Sequence, residues 1–195
     1  MARKLAFDKD IVIYQAMTLF QERGYEATSI RDLVAHLGVS SSSLYSTFGD
    51  KDELFMLALK RHAELEMEAL EGQLSAPAAP QEIIQALFDE FIDQLMQEGF
   101  PTGSLTLKAA TELSVSKPAV ASFLGQYMGE MTALLAAFLD KAAEEGQMTF
   151  QQPTADVARY LLFALFNLSL MVTIHPERAK LEGYKKMVLQ TVLGG

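Results

Sequence analysis

Apolar residues return every three or four positions through almost the whole of this 195-residue chain. Ile13, Ala16, Met17 and Phe20 fall at i, i+3, i+4 and i+7, one face of a helix, and Gly24 follows as a stop. Thr28 or Ser29 can cap a second helix, in which Ile30, Leu33, Val34 and Leu37 repeat the spacing up to Gly38. Ser40 can cap a short third helix with Leu44 and Phe48 inward, closed by Gly49. Asp50 can cap a fourth, running from about Lys51 to Leu74 with Leu54, Leu57, Ala58 and Leu65 inward. Pro77 and Pro80 cannot continue that helix, so a boundary is expected near them. Further apolar stripes follow, at Ile84 to Leu95, Ser104 to Leu113, Pro118 to Gly146, Thr154 to Ile174 and around Leu181 to Val188. The expected fold is all-α, with about nine helices and no convincing strand.

The inventory of side chains removes several functions. Cysteine is absent, which excludes disulfides, thiolate metal sites and cysteine nucleophiles and suits a reducing cytoplasmic setting. No apolar core precedes Asp8, so no secretory signal is expected. The apolar run from Tyr160 to Ile174 is shorter than the roughly 20 residues of a membrane span. It reads as a buried helix, and no membrane partner is expected. His36, His62 and His175 show no zinc-helix spacing, and no glycine-rich phosphate loop follows a strand. Neither a cofactor nor a metal is expected, and no constellation for catalysis is visible.

Charge separates the chain into two parts. The net charge is -9, yet residues 1–62 hold eight Lys and Arg against eight Asp and Glu, while 63–195 hold eight against seventeen. A neutral head on an acidic body can approach nucleic acid only through locally clustered cations and polar groups, with the body held away.

The second and third helices, joined by Gly38-Val39-Ser40, have the dimensions of a helix-turn-helix. The stretch Gly24-Tyr25-Glu26-Ala27-Thr28-Ser29-Ile30, then Leu37-Gly38-Val39-Ser40, Leu44-Tyr45-Ser46-Thr47-Phe48 and Lys51-Asp52-Glu53-Leu54 resembles the N-terminal domain of TetR/AcrR-family transcriptional regulators. The resemblance covers roughly residues 8 to 60. It implies an N-terminal three-helix DNA-binding domain (1–52), a connecting fourth helix, and a C-terminal ligand-binding and dimerisation domain (53–195).

What the resemblance implies for individual residues follows the register. Ser41, Ser42, Ser43, Tyr45, Ser46 and Thr47 fall on the groove-facing surface of the third helix, with Ser40 at its start. Thr28, Ser29, Arg31, Tyr45 and Lys51 are phosphate candidates, and Arg3 and Lys4 can reach the adjacent minor groove. The third helix carries no Arg, Lys, Asn or Gln on that surface, so base reading there is expected to be shallow, through hydroxyls and thymine methyls.

The same resemblance implies a homodimer through the last two helices and an apolar or amphipathic small-molecule effector. Candidate pocket residues are Phe88, Phe91, Ile92, Leu95, Phe100, Met128, Met131, Phe163 and Phe166, each of which can equally be core. Asn167, the only asparagine, sits among Leu, Phe and Met; it needs a partner, and a bond across the dimer is expected to supply one. Lys108 and Glu112 read as an exposed i, i+4 pair. The expected function is a homodimeric repressor, released from a near-palindromic double-stranded DNA operator by its effector; the alternative is a helical protein-interaction adaptor without specific DNA readout.

Overall fold

A computed structural model describes residues 7–97, 104–174 and 176–193. Among them are nine helices: α1 (Lys9–Arg23), α2 (Ile30–Leu37), α3 (Ser41–Phe48), α4 (Lys51–Leu74), α5 (Pro80–Leu95), α6 (Leu105–Leu113), α7 (Pro118–Glu144), α8 (Thr154–Ile174) and α9 (Arg178–Leu193). No strand occurs among the described residues. Their starts follow the caps that the sequence offers. Asp8 accepts from the Asp10 and Ile11 amides, and Ser40 from the Ser43 amide. Asp50 and Glu53 satisfy each other's backbone N–H at the start of α4, at 2.9 and 3.1 Å. At α2 the cap is Ser29, which forms a reciprocal box with Asp32.

The chain packs as two compact units whose limits differ from the expected division at residue 52. The first takes the chain up to Leu65 together with Ser104–Leu124; the second takes the remainder. The reason is apolar. Leu105, Ala109 and Leu113 lie on one face of α6 and are buried in the same core as Phe20, Leu33, Leu44, Leu54 and Phe55, with Val120 and Leu124 of α7 beside them. Burying each leucine stabilises that core by about 1.5–3 kcal/mol, which the first four helices alone would forgo. In α4 the inward face is Leu54, Phe55, Ala58 and Leu59; Leu57, expected inward, is 39% exposed. Two apolar residues in succession on each turn shift the stripe away from Leu57.

Polar contacts fasten α6 and the start of α7 to the turn between α1 and α2. Lys108 and Glu112 do not form the exposed pair their spacing suggests. The Lys108 ammonium donates to the carbonyls of Gln21 (2.5 Å) and Glu22 (3.0 Å), at the negative end of α1. Desolvation lowers the Lys108 pKa, against the pull of Glu112 and Glu22. Glu112 accepts from the amides of Tyr25 (2.9 Å) and Glu26 (3.4 Å). Asp52 accepts from Lys117 at 2.5 Å and from the Tyr25 hydroxyl, and these two bonds, Lys117 first, hold its carboxyl below the usual range. Near the same segment's start, the buried His62 ring accepts from the Leu105 amide at 3.2 Å.

In the second unit α5, α8 and α9 pack together. Asp89 and Glu182 hold Lys185, and Asp93 holds Arg178. Tyr127 of α7 donates to Glu66 at 2.7 Å, and burial first, then that carboxylate, raises the phenol pKa far above its ordinary value. Helix α8 corrects the expectation of a buried helix. It buries Val157, Ala158, Leu161, Leu162, Leu168 and Val172, but leaves Tyr160, Phe163, Leu170 and Ile174 43 to 63% exposed. A run with hardly any polar side chain carries no mark of which face turns outward. By length and hydropathy it is the one helix among the described residues that could cross a membrane.

Gly24 has φ 80° and ψ 172°, a region open essentially to glycine alone, and a Cβ there would lie 2.3 Å from a Glu112 carboxylate oxygen. Gly24→Ala is expected to lower unfolding stability in urea by about 2–4 kcal/mol, adding backbone strain to a displaced hydrogen bond. Gly72→Ala, helical and facing open space, should raise it by about 0.5–1 kcal/mol. Because the Asp52 pKa is depressed in the folded state, its contribution is complete above the unfolded value near 3.8 and fades as pH falls through the folded one. Denaturant midpoints of the parent and Asp52→Asn should therefore differ at pH 6 and draw together as the pH is lowered beyond 3.8.

Candidate nucleic-acid interface

The turn Gly38-Val39-Ser40 sets α3 against α2. Gly38 takes the left-handed conformation (φ 64°, ψ 20°) that ends α2, Val39 is buried, and Ser40 opens α3. Leu44 and Phe48 anchor α3 to the core. Ser41, Ser42, Tyr45 and Ser46 fall on the opposite face and are exposed, Tyr45 by 50%, while Ser43 and Thr47 are half-buried.

Several of these hydroxyls already have partners. Ser40 Oγ accepts from the Ser43 amide, donates to Ser43 Oγ at 2.8 Å and lies 3.1 Å from Ser42 Oγ. Ser46 donates to the Ser43 carbonyl. Ser41 and Tyr45 are the outward hydroxyls of α3 that carry no such bond among the described residues. The exposed face therefore presents neutral, short groups and one phenol, with no fork of N–H donors.

The phosphate candidates separate on burial. Thr28 is 0% exposed: its hydroxyl donates to the Gly24 carbonyl at 2.7 Å and its amide to the Tyr25 carbonyl. It holds the α1–α2 turn and has no donor left for a phosphate, which corrects its nomination. Ser29 is exposed, although its hydroxyl is engaged with Asp32. That bond leads the causes that depress the Asp32 pKa. Arg31 is exposed on the first turn of α2. Lys51, half-buried at the first position of α4, holds its ammonium 3.9 Å from the centroid of the Tyr25 ring. Arg3 and Lys4 lie outside the described residues.

Sequence reasoning missed Tyr25, Asp52 and Lys117 as the surroundings of Lys51. Tyr25 stands where a core aromatic is expected, and Lys117 is 65 residues from Asp52, a separation at which no local spacing gives a signal.

Of the nominated pocket residues, Phe88, Ile92, Leu95 and Met131 are buried, and Phe91, Met128 and Phe166 are half-buried. Phe100 lies outside the described residues. Phe163 is 54% exposed and Asn167 shares its outward face; the Asn167 amide donates to the Tyr184 hydroxyl of the same chain at 3.2 Å. A groove of about 590 Å³ in this unit runs between α5 and α9, lined by Gln85, Asp89, Glu182, Lys185, Leu189 and Leu193, none of them nominated. Among the described residues no three His, Asp or Glu side chains cluster to hold a metal ion.

Residues 12–57 match the family model of bacterial regulatory proteins, tetR family. The HTH-type transcriptional regulator YezE of Bacillus subtilis is 27% identical over 193 residues, 98% of this chain and 100% of that protein. The HTH-type transcriptional repressor ComR of Escherichia coli is 28% identical, across 86% of this chain and 80% of its own. Among solved structures, a cysteine-substituted TetR family transcriptional regulator CifR, complexed with 26-bp double-strand operator DNA, superposes with a TM-score of 0.85. Its identity is 28%, over 98% of this chain and 100% of that one. Relatives and neighbours alike are transcriptional regulators, and this chain is no enzyme. It belongs to the TetR family of bacterial regulatory proteins, helix-turn-helix regulators of transcription.

Proposed function

We propose that this chain is a homodimeric repressor that binds a near-palindromic operator through α3 and leaves it when a small apolar or amphipathic molecule binds the body. The observation that carries the reading is the α2–turn–α3 unit itself. Each helix is capped, and the outward face bears Ser41, Ser42, Tyr45 and Ser46, with Arg31 and Lys51 to either side in sequence. The operator complex of CifR supports it from a relative of the same length and fold.

In this reading α2 and α3, in the unit formed by the chain up to Leu65 and by Ser104–Leu124, read DNA in the cytoplasm, and the second unit holds the effector and the dimer contact. Tyr45 and Lys51 meet phosphates, and Ser29 and Arg31 flank them; α3 reads the groove through hydroxyls and through contact with thymine methyls. The dimer forms on the outward stripe of α8, Tyr160, Phe163, Leu170 and Ile174, extended by Met187 of α9, which is 70% exposed. An apolar stripe of this extent favours a partner surface over water. A two-fold axis there would space two α3 helices about 34 Å apart, one turn of DNA. Phe163 and Asn167 then belong to the dimer face, leaving Phe88, Phe91, Ile92, Leu95, Met128, Met131 and Phe166 as effector candidates. An effector that prefers the wrongly spaced dimer by about 1–3 kcal/mol suffices for release.

The deciding experiment passes fragments of the source genome over the purified protein and sequences what is retained. Enrichment of a few near-palindromic sites is expected; retention without enrichment, or none, would favour the adaptor. On such a site Tyr45→Ala and Lys51→Ala should each weaken binding at least tenfold, about 1.4 kcal/mol, and leave the dimer intact in sedimentation. Phe163→Glu combined with Leu170→Glu should give a folded monomer with weakened operator binding.

A further inference from the structure

Tyr25 is held from several sides by side chains far apart in sequence. Its amide donates to Glu112 of α6 at 2.9 Å. Its hydroxyl donates to Asp52 of α4, whose other oxygen holds Lys117, just before α7, at 2.5 Å. Phe55 meets the ring edge-on at 5.0 Å between centroids, and Phe20 stacks at 6.4 Å. Over the ring thus fixed lie two ammonium groups, Lys51 Nζ at 3.9 Å from the centroid and Lys117 Nζ at 4.9 Å.

The two lysines differ in what remains for a ligand. Lys117 is bonded to Asp52, a contact that leads the causes raising its pKa, and its charge is thereby balanced. Among the described residues no ion pair engages Lys51, whose charge is met by the electron-rich face of the ring. A lysine has four rotatable bonds, and fixing it on an anion costs that freedom; a ring that already confines the ammonium removes part of the cost before the anion arrives.

We propose that Tyr25 is the positioning residue for the Lys51 phosphate contact, and that Glu112 and Lys117 of the segment 104–124 fix Tyr25 in turn. The inference rests on the reading that Lys51 meets a DNA phosphate. It gives the α6–α7 segment a direct bearing on DNA affinity, distinct from its share of the core.

The test is operator binding by fluorescence anisotropy between 50 and 200 mM salt, with Lys51 observed by NMR in the free protein. Each phosphate contact contributes about 0.9 to the slope of log affinity against log salt. Tyr25→Leu is expected to reduce the slope by about that amount, Lys51→Ala to do the same, and the double variant to lose no more than either. Tyr25→Phe, which keeps the ring, should restore most of the slope. A Tyr25→Leu protein that is less stable but has the parental slope would overturn the proposal, because a packing role lowers stability without removing a charge contact. The Lys51 ε-methylene protons of the parent should be shifted upfield by the ring, a readout that needs neither a variant nor DNA. If they resonate with the other lysines, the proposal fails even where DNA binds tightly. A shifted Lys51 in a parent that retains no DNA would instead sink the phosphate reading on which it rests.

Discussion

The carboxylate of Glu112 on the amides of Tyr25 and Glu26 is the contact from which the reading unit takes its shape. Between α1 and α2 the chain turns through Gly24, Tyr25 and Thr28, and the N–H groups of Tyr25, Glu26 and Thr28 find their partners outside any helix ladder. Thr28 satisfies its own by bonding back to Tyr25, while Glu112 takes the other two from outside the turn. Lys108, one helical turn earlier, faces the unpaired carbonyls that end α1. One short helix thus neutralises both the exposed acceptors and the exposed donors of the turn. The conformation of Gly24 is its geometric consequence, since any side chain there would enter the space of the carboxylate.

Much of this architecture was legible from spacing. The apolar stripes, Gly24, Gly38 and Gly49 as stops, and Ser40 and Asp50 as caps are local signals, and local hydrogen bonds realise them. What was not legible depends on partners distant in sequence. The Lys108–Glu112 spacing fits an ion pair on a free helix surface equally well, and only the presence of α1 beside α6 decides otherwise. Thr28 and Ser29 are adjacent hydroxyl residues at a helix start, and nothing in their order tells which caps and which is buried. Leu57 and the outward stripe of α8 failed for a different reason: the sequence there is apolar on more than one side, and periodicity has no contrast to work with.

In the proposed reading the helix that enters the groove carries very little charge. Its outward residues are uncharged, and the cations that would offset the acidic body stand on other elements, Arg31 on α2 and Lys51 on α4. Under that reading attraction and discrimination would fall to different helices. Hydroxyls that are already bonded to one another, as those of Ser40, Ser42 and Ser43 are, hold fixed orientations and lose little freedom when they meet a base or a bridging water.

Because α6 and the first turns of α7 complete the core around Phe20, Leu33 and Phe55, the DNA-reading part of this protein is not a contiguous stretch of chain. Cutting after α4 would leave an uncovered apolar surface where Leu105, Ala109 and Leu113 now pack. A chimera that transplants the head of one regulator onto the body of another would have to carry residues 104–124 along with residues 7–65, or refit that seam. Recombination at a single crossover is thus disfavoured in a chain built this way, and its two halves are constrained to change in step.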